Sequence, residues 1–171
     1  MRRRLATQVT TNMFIQSSQE LAEIVARRQL AGEKIVFTNG VFDLLHVGHV
    51  RYLQEARALG DGLLIAVNSD DSVRRIKGPT RPLVCEAERA EVLDALRCVD
   101  YVTLFSTDTP VPLIEIVQPA LYVKGGDYDV DMLPETRIVR SYGGHVRILG
   151  FTDGRSTTRL VEAIGNNPSS K

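Results

Sequence analysis

Short apolar runs alternate along this chain with stretches in which apolar residues return at helical spacing. Lys34 to Phe37 is a compact apolar run punctuated by Asn39-Gly40, and Val47, Val50, Leu53, Ala56 and Leu59 then recur every three residues, so the order is strand, loop, helix. Asp61-Gly62 turns the chain into a second strand, Leu63 to Val67, and Ser69 is placed to cap a short helix with Asp70 and Asp71 in its first turn and Arg74 and Arg75 in its last. Lys77 to Pro82 breaks that helix. Glu86 to Arg97 reads as a helix buried through Ala90, Leu93 and Leu96, Tyr101 to Phe105 as a strand, and Pro110 to Val117 as a helix closed by Pro119. Leu121 to Lys124 is a strand running into Gly125-Gly126, Pro134 to Tyr142 a helix ended by Gly143-Gly144, Val146 to Leu149 a strand, and Ser156 to Ile164 a final helix. Before all of these, the S-x-x-E box at Ser17 to Glu20 starts a helix that Gly32 stops, expected to pack on the sheet edge or on another subunit.

Strands that alternate with helices predict a parallel sheet covered on both faces. The expected fold is α/β, a Rossmann-like doubly wound, mainly five-stranded parallel sheet. Residues 1–15 carry no periodicity and are expected to be a flexible arm, residues 16–164 a single domain, and residues 165–171 a disordered tail.

Composition narrows the class. The chain has 171 residues, 43% of them hydrophobic and 25% charged, which suits one soluble domain able to bury roughly 70% of its unfolded surface. Its 21 basic residues balance 21 acidic ones, so bulk binding to nucleic acid or to an anionic membrane is not expected. Cys85 and Cys98 are isolated and read as packing residues of a reducing compartment. The arginines at positions 2–4 are followed by polar residues rather than an apolar signal core, and no apolar run is long enough to span a bilayer; the expected location is cytoplasmic.

In an open parallel sheet, ligands sit beyond the carboxyl ends of the strands near a switch in strand order. The distinctive residues fall at such ends: Asn39 to His49, Asn68 to Asp70, Lys124 to Asp127 and Thr152 to Thr158. His46 and His49, two of only three histidines, stand at a helix start, where unpaired backbone N–H groups and the dipole favour an anion, and Gly48 between them lets a ligand approach the backbone. Lys124-Gly125-Gly126-Asp127 joins a cation, two permissive glycines and a carboxylate suited to a sugar hydroxyl. Arg155 and the hydroxyls of Ser156, Thr157 and Thr158 open the last helix, where capping and phosphate binding share one N-terminus. Lys77 and Arg81 lie on a Gly/Pro segment that reads either as solvated surface or as a loop closing on a triphosphate. Asp43 suits a turn or a sugar, and His145 reads as structural. There is no P-loop motif, and no Ser-His-Asp or Cys-His arrangement stands out.

The H-x-G-H stretch from His46 to His49 resembles the signature of the HxGH nucleotidyltransferases. From about Gly32 to Ile164 the blocks TNGVFDLLHVGHVRYL, VNSDDSVRRIKGPTRPL, ERAEVLDALRCVDYV, KGGDY and GRSTT together resemble the heptose 1-phosphate adenylyltransferases. That resemblance implies transfer of the adenylyl group of ATP to D-glycero-β-D-manno-heptose 1-phosphate, with Mg²⁺ carried on the ATP phosphates. It implies catalytic roles for His46, His49 and Lys77. Nucleotide binding would fall to Thr38, Asn39, Gly40, Phe42, Gly48, Lys124, Gly125, Asp127, Arg155, Ser156, Thr157 and Thr158, and the sugar phosphate to Asp43, Asn68 and Arg81. A homo-oligomer, dimer or tetramer, and a heptose kinase on a separate chain complete the expectation. Glycerol-3-phosphate cytidylyltransferases share FDLLHxGH and a terminal STT, but Gly126 stands where they tend to have a second Asp and Phe151 where they tend to have Arg, which favours ATP. A transfer RNA synthetase is disfavoured by the lack of a KMSKS-like loop. A nucleotide-sensing module without catalysis is the alternative of another class.

Overall fold

Alternation within each strand decides which helices cover which face of the sheet. The computed structural model describes residues 13–150. In β2 (Ile35–Gly40) and β3 (Gly62–Asn68), Val36, Leu63, Ile65 and Val67 point to one face, where Leu53 and Ala56 of α2 (Val47–Arg57) and Ala90 and Leu93 of α4 (Glu86–Asp94) cover them. Ile35, Phe37, Leu64 and Ala66 point the other way, toward α1 (Ser18–Leu30), α5 (Val111–Val117) and α6 (Pro134–Ser141). Both faces are buried, so the strands read as unbroken apolar runs.

All the strand pairings are parallel, and the sheet runs β1-β4-β3-β2-β5-β6, where β1 is Met13–Phe14, β4 Tyr101–Phe105, β5 Leu121–Gly125 and β6 His145–Leu149. Strands β2 to β6 are those expected from the sequence. Neighbours of β2 follow different directions of chain order, toward β3 on one side and β5 on the other, and this switch opens the crevice described below. The short helix α3 (Asp70–Lys77) follows β3, capped by the Ser69 hydroxyl as its sequence predicts.

Six details differ from the sequence reading. Met13 and Phe14, assigned to the arm, pair with Tyr101 and Val102 as a sixth strand, and Ile15 is buried against the α1 face. A two-residue strand is too short to carry a period. β2 continues through Thr38 to Gly40, because pairing with Ile65 to Val67 outweighs the Asn-Gly turn signal. Helix α1 does not sit at the sheet edge: Leu21, Ile24 and Val25 pack on the sheet face against the cluster that includes Ile35, Phe37 and Ile114. Helix α2 buries Tyr52, Leu53 and Ala56, whereas Val47 is exposed, since a strict three-residue repeat drifts around a helix of 3.6 residues per turn. Helix α4 ends at Asp94, ahead of Leu96, and Val130–Met132 forms a 3-10 turn. The expected last helix and tail, and residues 1–12 of the arm, lie outside the described residues.

Candidate active site

Helix α2 begins with its own histidines. His46 is the N-cap residue in an extended conformation, and its Nδ1 accepts the Gly48 backbone N–H at 3.1 Å. His49 reaches back so that its Nδ1 accepts the His46 backbone N–H at 3.4 Å, a capping box built from imidazoles. A nitrogen that accepts from the backbone carries no proton, so in each neutral ring the proton sits on Nε2, which becomes the donor directed away from the helix. The two rings lie 4.0 Å apart between centroids, and the Phe42 ring meets His49 edge-on at 5.6 Å. Burial first, and His46 second, hold the His49 pKa down at about 4 rather than 6.5, so at neutral pH the ring is an uncharged donor. Phe42 takes a left-handed φ of 50°, uncommon for a bulky residue, and a side chain at Gly40 would meet its ring at 3.0 Å. Glycine at position 40 thus makes room for the ring that backs His49.

A crevice of about 600 Å³ opens beyond the strand ends. Asn39, Gly40, Phe42, Asp43 and His49 line it from the β2–α2 segment, Asn68, Lys77 and Arg81 from the β3 side, and Lys124 from β5. Nine sequence-predicted residues therefore share one cavity. His46 stands beside it through its contact with His49.

Other predicted residues do different work. Thr38 is buried and its hydroxyl bonds the Tyr52 hydroxyl at 2.7 Å, which in turn donates to the Val123 carbonyl at 3.2 Å. Gly125 packs under the same ring, where a Cβ would come within 3.0 Å of it. These two fasten α2 to the sheet. The Gly48 N–H is engaged by His46, so it caps the helix. Asp127 is exposed and does not line the crevice. Arg155, Ser156, Thr157 and Thr158 lie outside the described residues.

Asp43 is the anchor of the basic segment. Its Oδ1 accepts the backbone N–H groups of Leu83 at 2.7 Å and Val84 at 3.1 Å, and its Oδ2 accepts Arg81 Nη1 at 2.6 Å. Both oxygens of this buried carboxylate are engaged within the protein. Asn68, also buried, donates from Nδ2 to the Ser72 hydroxyl at 3.0 Å. Lys77, at the end of α3, is exposed.

Arg89, invisible as a site residue in the sequence, ties these segments together. Its fully buried guanidinium donates to the carbonyls of Val84 at 2.9 Å, Val41 at 2.5 Å and Asn68 at 2.8 Å, and to Asp70 Oδ1 at 2.7 Å. One side chain thus clamps the β2–α2 loop, the end of β3 and the loop before α4. Its only sequence signal was an arginine between Glu88 and Ala90 on an otherwise ordinary amphipathic helix. The crevice also includes Asp108, Thr109 and Pro110 after β4, and Tyr128 and Glu135 after β5; of these the motif blocks contained only Tyr128, the end of KGGDY.

Residues 37–164 match the family described as cytidylyltransferase-like. The chain belongs to that family. Like the other HxGH nucleotidyltransferases it is an enzyme that moves a nucleotidyl group. Over 144 residues it is 55% identical to the bifunctional protein HldE of Geobacter sulfurreducens, covering 84% of this chain and 29% of that one. Over 150 residues it is 50% identical to the bifunctional protein HldE of Alcanivorax borkumensis, covering 88% of this chain and 32% of that one. The chain spans about a third of the length of these relatives. A solved structure, the lipopolysaccharide core biosynthesis protein from Thermoplasma volcanium GSS1, is similar with a TM-score of 0.58 and 29% identity over 72% of this chain and 100% of that one.

The geometry suits this chemistry. An incoming phosphate oxygen is already anionic, so the site needs no activated Ser or Cys, only donors that hold the reacting phosphates in line and take up charge as pyrophosphate departs. The Nε2 positions of the histidine pair, with Lys77 and Lys124, are donors of that kind at or beside the crevice. No helix among the described residues is long and apolar enough to cross a membrane.

Proposed function

We propose that this chain is an adenylyltransferase that joins ATP and D-glycero-β-D-manno-heptose 1-phosphate to give ADP-heptose and pyrophosphate, a step of lipopolysaccharide core synthesis. The observation that carries the proposal is the convergence of His49, Lys77 and Lys124 on one crevice at the switch between β2 and β5, in a chain more than half identical to an HldE protein. The ordered blocks TNGVFDLLHVGHVRYL to GRSTT support the sugar, and the lipopolysaccharide core protein of similar structure supports the pathway.

The phosphate oxygen of the sugar attacks the α-phosphorus of ATP, a new P–O bond forms, and the bond from the α-phosphorus to the bridging oxygen breaks to release pyrophosphate. His46 and His49 donate from Nε2 to the phosphates. Lys124 and the exposed Lys77 add positive charge from opposite walls. Asn68 and Arg81 face the sugar phosphate, and Asp43 holds Arg81 in place for it. The segment Arg155 to Thr158 binds nucleotide. The crevice is lined by the His49 imidazole, amides, Lys and Arg cations and the carboxylates of Asp43, Asp108 and Glu135, but the described residues hold no cluster of three acidic, His or Cys groups for a metal, so Mg²⁺ would fit as an ion carried by the triphosphate. Bound there, it would supply positive charge against the phosphates.

Incubation with Mg²⁺, each nucleoside triphosphate and candidate sugar phosphates, with pyrophosphate release as the readout, tests the proposal. Turnover is expected with ATP and heptose 1-phosphate. Pyrophosphate only with CTP and glycerol 3-phosphate would move the substrate assignment, and binding of a triphosphate without any turnover would replace the enzyme with a sensor.

A further inference from the structure

The crevice contains a carboxylate that the reaction above does not use. Glu135 stands in the first turn of α6, lines the crevice and is only 5% exposed in its side chain. Its Oε1 lies 3.5 Å from Lys124 Nζ. Its Oε2 is buried and has no hydrogen-bond partner among the described residues. A glutamate in a first turn suits the helix dipole, which accounts for the residue type but not for an oxygen enclosed without a donor. Native proteins leave few buried polar atoms in that condition, because each forfeits its hydration without replacement.

Nearby donors are engaged elsewhere. The Tyr122 hydroxyl stands beside the Glu135 carboxylate, but its one proton goes to Asn39 Oδ1 at 2.8 Å, and the Thr136 hydroxyl donates to the Val130 carbonyl. The missing donor therefore comes from the crevice. Charge selects its chemistry: a carboxylate repels a phosphate, and an ammonium at 3.5 Å, with no second carboxylate to form a cage, opposes a divalent cation. A neutral hydroxyl remains.

We propose that Glu135 is a substrate-recognition residue whose Oε2 accepts a hydrogen bond from a sugar hydroxyl, either of the ribose of the triphosphate or of the acceptor sugar, while Oε1 orients Lys124 toward the phosphates. The inference rests on the proposed transfer only in requiring that a substrate carry hydroxyls. A site built to bond a hydroxyl discriminates strongly against the analogue that lacks it, because its own polar atom is then left unpaired.

The test uses the full chain, wild type, Glu135→Ala and Glu135→Gln, with whichever substrate pair the wild type turns over, so a wrong choice of sugar or nucleotide in the preceding section shows itself before Glu135 is tested. Pyrophosphate release is followed with the intact pair, with 2′-deoxy and 3′-deoxy triphosphates, and with deoxygenated acceptors. One analogue is expected to cost the wild type about tenfold or more in kcat/KM, and the same analogue to cost Glu135→Ala less than about twofold. The analogue that gives this pattern names the substrate. Unfolding midpoints report whether the variants fold; Glu135→Gln, whose amide oxygen still accepts, is expected to keep part of the discrimination, and Glu135→Met, which fills the space without such an acceptor, serves if Glu135→Ala does not fold. If every analogue costs wild type and variant equally, the oxygen meets water only and the proposal is wrong.

Discussion

The two walls of the crevice are built on different principles. The histidine wall is local: His46 and His49 cap each other's backbone within the first turn of α2, and Phe42 closes over the second ring. The basic wall is assembled from afar. Arg81 reaches Asp43 across 38 positions, and Arg89 reaches Val41 across 48. Local capping sets the orientation of both imidazoles without help from distant segments, the kind of preorganisation that the proposed transfer calls for. The basic segment is tethered through Asp43 at residues 81, 83 and 84, while Lys77 upstream of the tether stays exposed. One wall is fixed within its own turn; the other depends on contacts made far along the chain.

Breaking the clamp behind the basic wall should have the largest effect on stability. Arg89→Met leaves Asp70 and three carbonyls without their partner, and removal of one member of a buried charged network costs roughly 3 to 5 kcal/mol. Urea unfolding checks this, and a loss below about 1 kcal/mol would mean that the loops hold themselves. Asp43→Ala should cost about 2 to 3 kcal/mol, since bonds to a charged acceptor are worth more than neutral ones. Its mark is local: amide exchange at Leu83 and Val84 should accelerate far more than at Gly48, and uniform acceleration would contradict separate walls.

The histidine wall should show itself in acid. Because the folded His49 pKa is about 4 against an ordinary 6.5, the unfolded chain binds more protons between those values. Stability contributed by His49 is therefore full above pH 6.5 and lost as the pH falls toward 4. After allowance for solvent screening of a partly exposed ring, the loss is about 2 kcal/mol, and His49→Asn should flatten the acid limb by that amount between pH 7 and 4.5. An unchanged limb in the variant would assign the acid sensitivity to other groups.

The same contrast explains what was legible in the sequence. The strand, the His-Val-Gly-His turn and α2 are adjacent in the chain, and local periodicity and capping specify them without reference to anything distant. The sheet followed from alternating elements, seven residues of the crevice from their places at strand ends, and Lys77 and Arg81 from the Gly/Pro segment after α3. Asp43 looked like either a turn residue or a sugar ligand, and only its partners at 81, 83 and 84 show how its oxygens are used. Arg89 and Glu135 sit on helices as ordinary charges, and their burial depends on segments far along the chain. Thr38 read as a ligand contact from its block with the histidines and Gly125 from the Lys-Gly-Gly-Asp stretch, with no sign in the sequence that both also meet the buried Tyr52 ring.

The central claim is that the histidine wall acts on the transition state, and steady-state kinetics of His49→Asn tests it most directly. Loss of a preorganised donor of this kind typically lowers turnover about a hundredfold to a thousandfold, roughly 2.7 to 4 kcal/mol. The expected result is a fall of that size in kcat and in kcat/KM together, with the KM for the nucleotide nearly unchanged. A raised nucleotide KM with kcat preserved would make His49 a binding residue and contradict the account.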